Sequence, residues 1–103
     1  MQELVEGHRY VASNFEESRN GQTIQFIQKE PKEEGSVELM TVSDGTTNEE
    51  VLEVLIARMN YLQSKFPCRE NALVITKLEE SLMWLNKRTA DRVKRNVEGK
   101  QIK

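Results

Sequence analysis

Hydrophobic positions change period near the middle of this chain. Before residue 45 they fall in short runs broken by turn signals. His8–Glu16 mixes Tyr10, Val11 and Phe15 with polar residues, and Asn20-Gly21 marks a turn. Thr23–Gln28 (TIQFIQ) is β-branched and aromatic and is closed by Pro31, and Val37–Val42 (VELMTV) is closed by Asp44-Gly45. This pattern predicts a three-stranded antiparallel meander over about 8–45. After residue 47 the spacing is helical. Thr47 with Glu50 fits a capping box, and Val51, Leu55, Met59 and Leu62 recur on one face, widened by Leu52 and Ile56. Phe66-Pro67 ends that helix, placing it at 47–66. A second helix is expected over 69–97 with Gly99 as its stop. Its seam, Asn71, Ile75, Leu78, Leu82, Leu85, Thr89 and Arg92, steps by four and three as a heptad does. A connection of about four residues implies an antiparallel hairpin. The expected class is α+β: a small N-terminal three-stranded antiparallel sheet followed by a long antiparallel helical hairpin, in a single domain, 1–103.

Composition adds a constraint. The chain has 103 residues, of which 37% are hydrophobic and 31% charged, a lean supply for a self-sufficient core. A second copy is the simplest way to cover the seam. One cysteine, Cys68, and one histidine, His8, leave no disulfide framework and no Cys- or His-rich metal cage. The first residues, MQELVEGHRY, carry acids where a signal peptide needs a basic start and an apolar stretch, so a soluble intracellular protein is expected.

Charge is uneven. Residues 1–86 hold 8 Lys/Arg against 15 Asp/Glu, and residues 87–103 hold 7 against 2, so a body of −7 ends in a segment of +5. Dipole complementation needs only one or two cations there. The remainder points to an anionic ligand or partner.

Arg88 and Arg92 are four apart on the second helix, on neighbouring parts of one face, where two guanidinium groups can fork a phosphate or pyrophosphate. The alternative is a solvated pair with Asp91 as a local partner. Trp84 reads first as a core anchor and second as a base-stacking ring. Asn71, at the other end of the seam, either touches water or holds a polar ligand at the rim of the packed zone. Asn71 and Arg88 are 17 residues apart, roughly 25 Å along one helix at about 1.5 Å per residue. One small ligand reaches both only if a second copy brings its Asn71 end beside the first copy's Arg88 end, as an antiparallel two-fold dimer does.

Catalysis has no constellation to rest on. Cys68 lacks a nearby base and reads as structural, and adjacent acids such as Glu79-Glu80 read as solvated faces. No GxGxxG, P-loop or HExxH occurs. A non-enzyme without cofactor or metal is expected.

The stretches FPCREN (Phe66–Asn71), LEESLMWLNKRTADRVKR (Leu78–Arg95) and Glu98-Gly99 resemble the phage Thoeris anti-defence family. The resemblance covers about residues 8–99 and is most specific over 66–95. It implies a sponge that sequesters a cyclic ADP-ribose immune signal without cleaving it, in pockets shared between protomers, in the host bacterial cytoplasm. The helical hairpin is also similar to that of the phage sponge for cyclic oligonucleotides used against CBASS defence. By this resemblance Asn71 hydrogen-bonds ligand hydroxyls or base edges, and Arg88 and Arg92 clamp the pyrophosphate. Tyr61 stacks a base and Phe15 is a lid candidate. A homodimer or a higher homo-oligomer up to a hexamer is implied, with no membrane and no nucleic acid as partner. The alternative function is a helical-hairpin dimer that binds nucleic acid or protein.

Overall fold

The computed structural model describes residues 1–17 and 19–103. The chain divides into two compact units, Met1–Thr47 and Asn48–Lys103, where the hydrophobic period changes.

The first unit is built of two small antiparallel sheets. Strands β1 (Gln2–Val5), β2 (Arg9–Ala12) and β3 (Gln22–Gln25) form the three-stranded sheet in sequence order. Gly7 (φ 75) makes the tight turn between β1 and β2, and Asn20 (φ 56) turns the chain before β3. The Asn14 side chain staples the intervening loop, donating to the Asn20 carbonyl (2.8 Å) and accepting from Gln22 Nε2 (3.0 Å). Strands β4 (Gln28–Pro31) and β5 (Leu39–Ser43) form a separate two-stranded sheet.

Three strand expectations are corrected. Gln2–Val5, too short and polar to signal itself, is the sheet's first strand because β2 offers it a pairing edge. TIQFIQ is not one strand: its backbone changes partners at Phe26-Ile27, where Phe26 bridges to Thr46 and the Ile27 N–H reaches the Thr46 carbonyl at 2.9 Å. The stretch expected as the third strand therefore pairs within the second sheet instead. Gly45 permits that crossing. A Cβ there would overlap the Gln25 carbonyl oxygen and lie 2.7 Å from the Phe26 carbonyl carbon. Tyr10 and Phe26 meet edge to face, with centroids 6.1 Å apart. Lost hydration, then the Glu3 carboxylate, raise the Tyr10 phenol above its ordinary 10.0.

The second unit holds α1 (Asn48–Lys65) and α2 (Arg69–Lys94), joined by three residues and packed against one another. Gln63 fixes the connection by bonding both backbone groups of Cys68: its Oε1 accepts from the Cys68 N–H and its Nε2 donates to the Cys68 carbonyl, each at 3.0 Å. Cys68 caps α2, its Sγ accepting the Asn71 N–H at 3.4 Å, so the thiol has the structural place expected of it. The covered face of α2 is Asn71, Ile75, Leu78, Leu82, Leu85, Thr89 and Arg92, the heptad seam, and every other α2 residue is exposed. On α1 the covered face includes Val51, Leu52, Ile56, Met59, Leu62 and Gln63, while Leu55, a member of the expected stripe, is exposed.

Helix α2 stops before Gly99. Asn96 takes the left-handed conformation (φ 58), its N–H bonds the Val93 carbonyl (3.0 Å), and the Val97 N–H bonds the Arg92 carbonyl (2.9 Å). That pair of bonds is a Schellman turn with asparagine in glycine's usual place. Among the described residues no apolar side chain is buried, and the one buried side chain is charged, Arg92 at 5% exposure. No helix among the described residues is long and apolar enough to cross a membrane.

Candidate functional site

The last three turns of α2 carry a stripe beside the seam: Trp84, Arg88, Asp91 and Arg95, at steps of four, three and four. Residues so spaced share one helical face. With Lys87 and Arg92 they wall a cleft of about 480 Å³, to which Lys103 adds a further cation. A second cleft, of about 310 Å³, lies between Arg88 and Arg92 on one side and Lys100–Lys103 on the other. Arg88 belongs to both.

The cations here are not equivalent. Arg92 is enclosed: its Nε donates to Glu98 Oε2 at 3.1 Å, its Nη2 donates to the Val97 (2.8 Å) and Lys100 (2.6 Å) carbonyls, and its Nη1 donates to the Ile102 carbonyl. Arg95 donates to the Lys103 carbonyl at 2.7 Å. Lys87 lies 5.5 Å from the Trp84 ring centre. Arg88 makes no hydrogen bond or ion pair within the described chain, and the Asp91 carboxylate does not reach it. An exposed guanidinium with no internal partner beside an exposed indole suits a phosphate and an adjoining ring.

Trp84 is not the core anchor expected of it. It is 62% exposed and lines the larger cleft. Trp84, Lys87 and Arg95 are not among the expected site residues, although the stripe that unites Trp84 and Arg95 with Arg88 is legible as spacing. The expected two-arginine fork is not laid out as an equal pair, since Arg92's donors already have four oxygen acceptors and Arg88's have none among the described residues.

The other expected residues lie elsewhere. Asn71 is part-buried on the first turn of α2, and its carboxamide has no partner within the described chain. Seventeen residues of unbroken helix separate it from Arg88, roughly 25 Å at about 1.5 Å per residue. Tyr61, 56% exposed, sits toward the connection end of α1 with Lys65 Nζ 5.5 Å from its ring centre. Phe15 is fully exposed in the loop between β2 and β3, not on a strand as expected. Within the second unit, neither Asn71 nor Tyr61 lines the Arg88 clefts. No group of three or more His, Cys, Asp or Glu among the described residues is placed to hold a metal ion.

Residues 20–90 match the family model described as the Acb2/Tad1 hairpin domain. A curated relative, Thoeris anti-defense 1 of Bacillus phage SBSphiJ7, is 59% identical over 58 residues, which cover 55% of this chain and 41% of that protein. The chain thus spans about two fifths of the length of the relative it matches.

Proposed function

The chain belongs to the Acb2/Tad1 hairpin-domain family, and on that premise we propose that it is a phage anti-defence sponge acting in the host cytoplasm. It holds a cyclic ADP-ribose-type signal in pockets shared between copies and does not cleave it. The observation that carries this reading is Arg88: an exposed guanidinium without a partner among the described residues, flanked by the exposed Trp84 in a cationic cleft. Arg88 clamps the pyrophosphate, with Arg92 behind it. Asn71 of a second copy hydrogen-bonds ligand hydroxyls or base edges, Tyr61 stacks a base, and Phe15 serves as a lid.

Two features support sharing. A ligand of nucleotide size does not span the roughly 25 Å between Asn71 and Arg88 of one copy. The helical pair also leaves Val54, Leu55, Leu73, Val74 and Met83 exposed, apolar area that association of copies covers. In this reading the helices form an antiparallel hairpin, as their three-residue connection favours.

Sequestration needs affinity and no turnover. A nanomolar dissociation constant corresponds to about −12 kcal/mol. One arginine–phosphate fork, one or two stacked rings and a closed shared pocket are of that order after ordering costs. Calorimetry with cyclic ADP-ribose isomers and cyclic dinucleotides tests the reading. Binding tighter than about 10 μM is expected for at least one, and heat-released ligand should elute unchanged on chromatography. Failure of every compound to bind, or release of a cleaved product, refutes it.

A further inference from the structure

Beyond α2 the chain turns back on itself, and Arg92 holds it there. The Schellman turn at Asn96 reverses direction, and Gly99 (φ 80) bends the chain again. The returning segment offers the carbonyls of Val97, Lys100 and Ile102 and the Glu98 carboxylate to one guanidinium. Few side chains in this segment could hold it by packing: only Val97 and Ile102 are apolar. Its order therefore rests on polar contacts: the four to Arg92, the Arg95 bond to the Lys103 carbonyl, and the turn bonds of its own backbone. The four to Arg92 also account for burying a charged side chain where, among the described residues, no apolar one is buried. Glu98 offsets Arg92's charge at 3.1 Å, so the enclosed guanidinium does not repel the cations around it.

We infer that residues 96–103 form a strap that walls the Arg88 anion site, that Arg92 and Glu98 are its latch, and that Lys100 and Lys103 are thereby brought to face the phosphates of the ligand. Arg92 in this arrangement is a positioning residue: its donors hold the strap, and its effect on the ligand passes through the strap's lysines. The inference rests on the phosphate-clamp role given above to Arg88. It adds a second wall and two cations to that site. The ligand chemistry it specifies is a phosphoanhydride, the dianionic part of the signal.

The latch uses backbone carbonyls, so the latch and the lysine charges can be separated. Arg92→Met keeps bulk and removes all four hydrogen bonds. Glu98→Ala removes the counter-charge and is the milder variant, should Arg92→Met not fold. Lys100→Ala with Lys103→Ala removes the cations and leaves the carbonyls in place. Each full-length variant is compared with the parent by amide exchange at Val97, Lys100 and Ile102, and by calorimetry with inorganic pyrophosphate and with cyclic ADP-ribose.

Both latch variants should speed exchange at the strap amides by about ten-fold or more, without altering the middle of α2, and weaken pyrophosphate binding by roughly ten-fold. The double lysine variant should leave exchange unchanged and weaken pyrophosphate binding by about five- to ten-fold, with a shallower salt dependence. Strap exchange unchanged in both latch variants overturns the latch. Parental pyrophosphate affinity in the double lysine variant, or no pyrophosphate binding by the parent, overturns the strap as a wall. A parent that binds pyrophosphate with the expected variant effects but ignores cyclic ADP-ribose upholds the strap and removes the sponge reading instead.

Discussion

Replacing Arg88 by alanine separates binding from folding more cleanly than any other single change in this chain. The side chain is exposed and makes no hydrogen bond or ion pair in the described chain, so its loss removes no folding interaction. Alanine is the better helix former by only a few tenths of a kcal/mol, which leaves Tm within about 2 °C of the parent. Binding is affected differently. A guanidinium forking a phosphate in a closed pocket contributes about 2–5 kcal/mol when truncation is the measure. At about 1.4 kcal/mol per decade this is a roughly 30- to 4,000-fold loss of affinity. Every copy carries the lesion, so no pocket escapes. Calorimetric titration with cyclic ADP-ribose reads the loss, a thermal melt reads the fold, and size-exclusion chromatography reads the assembly. An affinity within about three-fold of the parent, with Tm unchanged, would refute the assignment of Arg88 as the phosphate clamp.

Other positions give independent tests. Gly45→Ala forces a Cβ against the Gln25–Phe26 backbone; the expected cost of about 1–3 kcal/mol lowers Tm by roughly 5–20 °C, and an unchanged melt would show that the crossing between sheets is not tight. Gln63→Ala removes both bonds to the Cys68 backbone and should lower stability by roughly 1–2 kcal/mol in denaturant titration, with the affinity loss smaller than for Asn71→Ala. Tyr10 keeps its proton in the folded chain to higher pH than in the unfolded chain, because its phenol is raised above 10.0. Its contribution is complete below that value and is lost as pH climbs through the raised folded value, so Tyr10→Phe should flatten the alkaline fall in stability. An equal fall in both proteins would remove Tyr10 as its source.

The helical half of the fold was readable because its signal is periodic and long. The α2 seam from Asn71 to Arg92 coincides residue for residue with the covered face, since seven positions at steps of four and three leave little freedom of phase. On α1, Val51, Leu52, Leu55 and Ile56 form a broad band that fits two phases, and Leu55 lies on the uncovered one. The strands were less legible. Pairing partners are nonlocal, so nothing inside TIQFIQ marks the point where the chain leaves one sheet for another; the marker is Gly45, about twenty residues away. At the site, charge and spacing located the cationic end and Arg88. They did not separate Arg88 from Arg92, because that difference depends on carbonyls five to ten residues further on folding back over one guanidinium and not the other. Tryptophan is usually covered, which favours a core place for Trp84, whereas its position outside the seam, between Leu82 and Leu85, puts it on the exposed stripe.

The central claim is that the ligand is held by Asn71 of one copy and Arg88 of another. Mixing Asn71→Ala chains with Arg88→Ala chains tests it directly, since neither alone should bind. In a dimer that exchanges at random, half of the assemblies are mixed, and each mixed dimer has one intact pocket and one with both lesions. Calorimetry on the equilibrated one-to-one mixture should then recover cyclic ADP-ribose binding at parental affinity in about a quarter of the pockets. A mixture of verified mixed oligomers that binds no more than either variant alone would contradict the account.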